Sequence, residues 1–211
     1  SLPGGCPIGA RPVDYHLLAF RALGAEVAQT DDTISCRAQK LTGANITLPG
    51  PSVGATENLM MASSRAKGVT TIRNAACEPE IEDLAHFINE MGGNVHGAGT
   101  PNITIVGVDS MHGTEHTTVG DRIEAGTFLA AGALTKGPVT VRGVNPNHLA
   151  LAIRKLQDMG CTIKTTEDSV TISRERDLVP VDIQTLPHPG FPTDLQAQFM
   201  VLDAVAKGAS I

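Results

Sequence analysis

The sequence predicts an α/β protein with mixed sheets, assembled from a repeated α-β-α-β-β module. Three observations predict it. Leu23-Gly24-Ala25-Glu26-Val27, Met91-Gly92-Gly93-Asn94-Val95 and Met159-Gly160-Cys161-Thr162-Ile163 recur every 68 residues, from 23 to 91 and from 91 to 159. Lys67-Gly68-Val69-Thr70-Thr71-Ile72-Arg73 returns as Lys136-Gly137-Pro138-Val139-Thr140-Val141-Arg142, 69 residues further on. Alternating β-branched pairs, Ile103/Ile105 and Val170/Ile172, follow two of the three glycine elements at similar distances. A period this long exceeds a solenoid unit and marks a whole supersecondary module.

Each element has a local reason. Arg11-Pro12 opens a helix whose apolar stripe is Val13, Leu17, Phe20 and Leu23, and Gly24 stops it. After a Pro-Gly-Pro turn, a second helix starts near Ser52 and runs to the Lys67-Gly68 stop, where a β-branched strand takes over. Pro79 to Glu90 carries Ile81, Leu84, Ile88 and Met91 at helical spacing. Its counterpart begins at Asn145-Pro146, a capping residue before a proline, with Leu149, Ile153 and Leu156 as its stripe. Glycine after each stripe is the expected C-terminal stop. Phe191-Pro192-Thr193-Asp194 precedes a last helix with Leu195, Phe199 and Leu202 on one face. The ends do not respect the period. Residues 1–23 hold only the rear of a module, and Ala206–Ile211 stops where a third Lys-Gly strand is due to begin. Modules of this kind bury faces against neighbours, so the chain reads as an internal segment of something longer, incomplete at both ends.

Composition narrows the function. Of the 211 residues, 41% are hydrophobic, 18% charged and 3% aromatic, which suits a globular domain with an aliphatic core. A net charge of −6 and no Trp argue against nucleic acid, which needs a basic face and stacking aromatics. No apolar run reaches membrane-spanning length. Cys6, Cys36, Cys77 and Cys161 lie far apart, which fits reduced thiols in the cytoplasm. A small-molecule partner is expected.

Four places carry candidate chemistry, each with a plainer alternative. Cys6, in the frame Leu2-Pro3-Gly4-Gly5-Cys6-Pro7, is either a reactive thiol near a cation or an inert loop residue. Arg11 either binds phosphate or stacks on a base, or is a solvated surface arginine. Ser52-Val53-Gly54 either cradles an anion on free amides at a helix start, or Ser52 merely caps the helix. Asp194 is either an N-cap or a general base at a substrate hydroxyl. His112 and His116 lack the glutamate of a zinc-helix motif, and Gly97-Ala98-Gly99 reads as a turn. Glu78, Glu80, Glu82 and Asp83 complement a helix dipole.

Taken together, LPGGCPIGARPVDYH, PSVGATENLMMA, NAACEPEIEDLAHF, GDRIEAGTF and PHPGFPTDLQAQF, in this order and spacing, resemble the UDP-N-acetylglucosamine 1-carboxyvinyltransferases of the enolpyruvyl transferase family. The similarity runs through the whole chain, and the cysteine loop is specific to this branch. The resemblance implies an inside-out α/β barrel fold in two similar domains of three units each. Residues 1–120 would then be the C-terminal part of the first domain, and residues 121–211 the N-terminal part of the second. It implies transfer of enolpyruvate from phosphoenolpyruvate to the 3-hydroxyl of UDP-N-acetylglucosamine, with no metal or organic cofactor. Cys6 matches the fosfomycin-sensitive thiol on a mobile loop, an acid toward C3 of phosphoenolpyruvate. Arg11, Pro12, Val13, Asp14 and Tyr15 match the uridine-holding segment, Arg11 also reaching phosphoenolpyruvate. Ser52, Val53 and Gly54 match the diphosphate turn, and Asp194 the carboxylate at the sugar hydroxyl.

The same resemblance implies that an early Lys-Asn site and late arginines of the whole enzyme have no counterpart here. Two departures stand out. Cys77 occupies a position usually basic, and Gly120 replaces the usual proline at the hinge, which leads to an expectation of altered local electrostatics and a looser hinge. Competing readings are the shikimate-pathway enolpyruvyl transferase, whose family lacks the Cys6 loop, and a non-catalytic nucleotide-sugar-binding paralogue or fragment.

Overall fold

The computed structural model describes residues 13–30 and 33–211. The chain divides into two compact units, Ser1–Thr117 and Thr118–Ile211.

In the first unit the order is α1 (Asp14–Ala22), β1 (Glu26–Gln29), β2 (Ile34–Arg37), β3 (Asn45–Thr47), α2 (Val53–Ser63), β4 (Val69–Arg73), α3 (Pro79–Glu90), β5 (Val95–His96) and β6 (Asn102–Val106). β1 and β2 form an antiparallel hairpin. The other strands form a mixed sheet in the order β3-β4-β6-β5, with β3 parallel to β4 and the remaining pairs antiparallel. Ile46, Ile72, Ile103 and Ile105 turn inward from that sheet and meet Ala55, Leu59 and Met60 of α2 and Ile81 and Ile88 of α3 in one core.

The second unit runs α4 (Arg122–Thr135), β7 (Val139–Arg142), α5 (Ala150–Asp158), β8 (Thr162–Thr165), β9 (Ser169–Ser173) and α6 (Gln196–Val205). Its sheet, β7-β9-β8, is wholly antiparallel. Leu129, Leu149, Leu156, Val170, Ile172, Phe191, Leu195, Phe199 and Leu202 build its core.

The expected module is therefore present twice, as α2-β4-α3-β5-β6 and α4-β7-α5-β8-β9, with α1-β1-β2 as the rear of another. Its punctuation is one motif used three times. Gly24, Gly92 and Gly160 adopt φ of +91°, +89° and +95°, the left-handed conformation that favours glycine. In each, the glycine N–H reaches the carbonyl three residues back, and the next N–H reaches five back: Ala25 to Phe20 at 2.9 Å, Gly93 to Ile88 at 2.9 Å, Cys161 to Leu156 at 3.0 Å. This double bond pattern satisfies the last helical carbonyls and turns the chain into the next strand.

Three expectations are corrected. β3 was not expected, because Asn45-Ile46-Thr47 offers a single apolar residue and no alternation; pairing along β4 makes it a strand. The repeat has no second copy of it. The cap Asp121 follows the cap Ser52 by 69 residues, so the equivalent is 114–116, which forms no strand, and β7 stays a sheet edge among the described residues. The helix expected at Asn145-Pro146 begins as a 3₁₀ turn, Pro146–Leu149, with Asn145 Oδ1 accepting from Asn147 N–H at 3.0 Å. The two Lys-Gly stops also differ: Gly68 takes the left-handed conformation in one, and Lys136 takes it in the other, at φ +62°. Beside Lys136, the buried Arg174 guanidinium donates to the carbonyls of Ala133 at 2.6 Å and Leu134 at 3.3 Å, closing the end of α4.

At Gly120 the backbone passes close to a neighbouring segment: a Cβ there would lie 1.9 Å from the Gly143 carbonyl oxygen. Gly120→Ala is expected to destabilise the second unit by about 2 kcal/mol or more, read as a lower urea midpoint, because the segment leading into α4 and the turn after β7 would have to separate.

Candidate functional site

Two of the segments singled out by sequence meet in the first unit, where α1 packs against α2. Val13 is the N-cap of α1, Asp14 is exposed, and Tyr15 and His16 are half-buried in its first turn. Ser52 caps α2, its hydroxyl accepting from Ala55 N–H at 3.4 Å. The amides of Val53 and Gly54 have no acceptor among the described residues. They stand at the positive end of an 11-residue helix that carries no acidic side chain in its first turn.

Contacts fix the two helix starts side by side. His16 Nδ1 lies 2.8 Å from Asn58 Nδ2. A Cβ on Gly54 would stand 3.3 Å from His16 Cε1, and one on Gly50 would stand 3.5 Å from the Tyr15 hydroxyl. The glycines thus let the α1 side chains close over the turn before α2. His16 and Asn58 were not singled out by sequence, because the 42 positions between them leave no local signal of the pairing. Deeper in, the buried Thr56 hydroxyl accepts from Ala76 N–H at 3.1 Å and ties α2 to the loop leading into α3.

Cys77, in that loop, is surrounded by acids. Burial, followed by the charges of Glu78 and Glu82, pushes its thiol above the ordinary value, so it stays protonated and unreactive. Burial and the charge of Glu80 likewise raise Glu57 above the ordinary carboxyl value. Where the resemblance expects a base, Cys77 stands beside the carboxylates of Glu78 and Glu82.

Asp194 belongs to the second unit. The capping alternative is overturned: Pro192 is the N-cap of the 3₁₀ turn Thr193–Leu195, Leu195 that of α6, and neither helix start has a side-chain cap bond. Asp194 is exposed at the middle of the turn, and its carboxylate makes no hydrogen bond among the described residues. What holds it lies beneath. Leu195 and Phe199 are fully buried, Phe191 meets Phe199 edge-on at 4.8 Å and 83°, and α4 approaches so closely that a Cβ on Gly126 would lie 2.7 Å from Leu195 Cδ1. Gln198 Nε2 donates to Thr127 Oγ1 at 2.8 Å, fastening α6 to α4. A carboxylate raised on a rigid turn, free of structural partners, is available to accept a proton.

Cys6, Arg11 and Pro12 lie outside the described residues. Among those described, Cys36, Cys77 and Cys161 are free thiols, and no helix is long and apolar enough to cross a membrane.

The whole chain, residues 1–211, matches the family model for EPSP synthase (3-phosphoshikimate 1-carboxyvinyltransferase). It is 54% identical to UDP-N-acetylglucosamine 1-carboxyvinyltransferase 1 of Staphylococcus aureus (strain MRSA252), over 100% of this chain and 50% of that protein. It is also 54% identical to UDP-N-acetylglucosamine 1-carboxyvinyltransferase of Finegoldia magna, over 99% of this chain and 50% of that one. The chain thus spans about half the length of the curated relatives it matches. Among solved structures, the enolpyruvyl transferase NikO from Streptomyces tendae superposes with a TM-score of 0.79 at 25% identity, over 94% of this chain and 50% of that one. EPSP synthase from Acinetobacter baumannii superposes with a TM-score of 0.65 at 21% identity, which supports the fold alone.

Proposed function

Since the chain belongs to the EPSP synthase family and has the enolpyruvyl transferase fold, we propose that it is part of an enzyme transferring enolpyruvate from phosphoenolpyruvate to the 3-hydroxyl of UDP-N-acetylglucosamine. Phosphate is the other product, and the step feeds peptidoglycan precursor synthesis in the cytoplasm. Residues 1–120 belong to the first domain of that enzyme and residues 121–211 to the second, a reading supported by the division of the chain into two compact units near Thr117. The observation that supports this reading most is the meeting of the α1 and α2 starts. Val13, Asp14 and Tyr15 stand there, in the segment 11–15 that holds the uridine, and the unpartnered amides of Val53 and Gly54, with Ser52 beside them, take the diphosphate.

The chemistry follows from charge development. Asp194 accepts the proton of the sugar 3-hydroxyl as that oxygen bonds to C2 of phosphoenolpyruvate. The Cys6 thiol delivers a proton to C3, and Arg11 steadies the phosphoenolpyruvate charge. Loss of a proton from C3 then restores the vinyl group as the C2–O bond to phosphate breaks. A glycine-rich frame around Cys6 suits a lid that carries the thiol over bound substrate and excludes water from a cationic intermediate.

Phosphate release by the full-length polypeptide carrying this sequence tests the proposal. Release should need both substrates and be abolished by fosfomycin. A Cys6→Asp change should keep turnover, since a carboxyl also donates a proton, yet lose the inhibition, since the sulfur nucleophile is gone. Binding of UDP-N-acetylglucosamine with no phosphate release would favour a non-catalytic paralogue. Release that needs shikimate 3-phosphate instead would return the assignment to the other branch of the family.

A further inference from the structure

The connector between β6 and α4, residues 107–121, has no regular structure of its own, yet its first part is held against the first unit. Val108 N–H donates to Ser64 O at 2.9 Å, Arg65 Nη2 to Asp109 O at 2.7 Å, and His112 N–H to Met91 O at 2.9 Å. The last fastening is a side chain. The His116 ring, 11% exposed, lies along α3 with Nδ1 2.9 Å from Glu90 Oε2 and Nε2 3.1 Å from Asp83 Oδ1. Its centroid is 5.1 Å from that of Phe87, tilted by 37°. Asp83, Phe87 and Glu90 are spaced by four and three, so they form one stripe of α3.

Neutral imidazole has one N–H and one lone pair, so it can donate to only one of two flanking carboxylates and must point its lone pair at the other. Imidazolium donates to both. We propose that His116 is a pH-responsive latch that fastens the connector to α3 when protonated and lets it go when neutral. Asp83 and Glu90 are the acids that face it from α3. On the connector itself, Glu115 and His112 are exposed, and the His112 Nδ1 turns to Gly113 O at 3.1 Å.

The energetic direction agrees with the geometry. The hydrogen bond to Glu90 raises the His116 pKa above 6.5 most; burial opposes it, and Asp83 adds to the rise. A histidine whose folded value is raised contributes stability that is complete below its unfolded value and is lost as pH climbs through the folded one. The latch is therefore shut in mild acid and opens on the alkaline side of 6.5. By the repeat, 114–116 is also the stretch that would have been the second copy of β3. The latch keeps it on α3 instead.

The test is a histidine NMR titration of the whole chain, run beside amide exchange of residues 111–117 normalised to unstructured-chain rates. His116 should titrate above 6.5, and Glu90→Gln should bring it down. Protection of 111–117 should fall by up to about tenfold per pH unit between 6.5 and the His116 midpoint, the limit for one proton. In His116→Gln, protection should be flat with pH and match the alkaline wild type. Should that variant not fold, the wild-type titration and Glu90→Gln still decide. A His116 midpoint at or below 6.5, or protection unchanged through it, overturns the latch.

Discussion

Asp194→Asn should lower phosphate release by the full-length enzyme between about 10²- and 10⁴-fold, the range for losing a positioned general base. The amide keeps the shape of the carboxylate but cannot take a proton from the sugar hydroxyl. Two measurements separate this from misfolding. The urea midpoint should be unchanged, because the Asp194 side chain is exposed and supports neither helix start as a cap. Affinity for UDP-N-acetylglucosamine should also change far less than kcat, since the loss falls on the transition state. Wild-type turnover in the variant would remove Asp194 from the mechanism and leave the turn as surface.

Phe199→Ala should destabilise the second unit by about 3–5 kcal/mol, the cost of emptying a buried aromatic site. Phe199 is fully buried, and its edge-on partner Phe191 sits three residues before Asp194. Truncation removes the floor on which the 3₁₀ turn rests. A domain typically has only about 5–15 kcal/mol of stability, so such a loss takes a large share of it. The readout is the urea midpoint, with Phe199→Leu as the control that keeps most of the volume and should cost under about 1.5 kcal/mol. A Phe199→Leu midpoint equal to that of the wild type would show that the edge-on pair contributes little beyond filled space.

The fold was legible wherever local signals agreed with one another. Pro79 to Glu90 was read to the residue because proline at the start, acids in the first turn, an apolar stripe and a closing glycine all mark the same helix. The inward alternation of Ile103/Ile105 and Val170/Ile172 was equally plain. What escaped depends on distant partners. β3 exists because β4 is beside it, and three residues carry too little pattern to announce that. At the site, Ser52 could be read as a cap with an anion-binding alternative, whereas the His16–Asn58 bridge spans 42 positions and has no local trace. The cap alternative at Asp194 failed for a related reason: aspartate before a helix usually caps it, but here a 3₁₀ turn stands between, with Pro192 as its N-cap. Asp83 was read as a dipole complement, and its pairing with His116 needed the connector to fold back.

The missing second copy of β3 has a physical cost beyond symmetry. Among the described residues β7 leaves one row of main-chain groups unpaired, and beside it lies a cleft of about 260 Å³ lined by Phe128 and Val141. Any extended backbone arriving there gains hydrogen bonds and covers apolar surface at once, and a second molecule of the same polypeptide brings such backbone with it. The strand is only four residues long and ends in the charge of Arg142, which slows that recruitment without abolishing it. Concentrated preparations of this polypeptide would therefore be expected to polymerise from this rim, and a graft that donates a parallel strand to it should keep them dispersed.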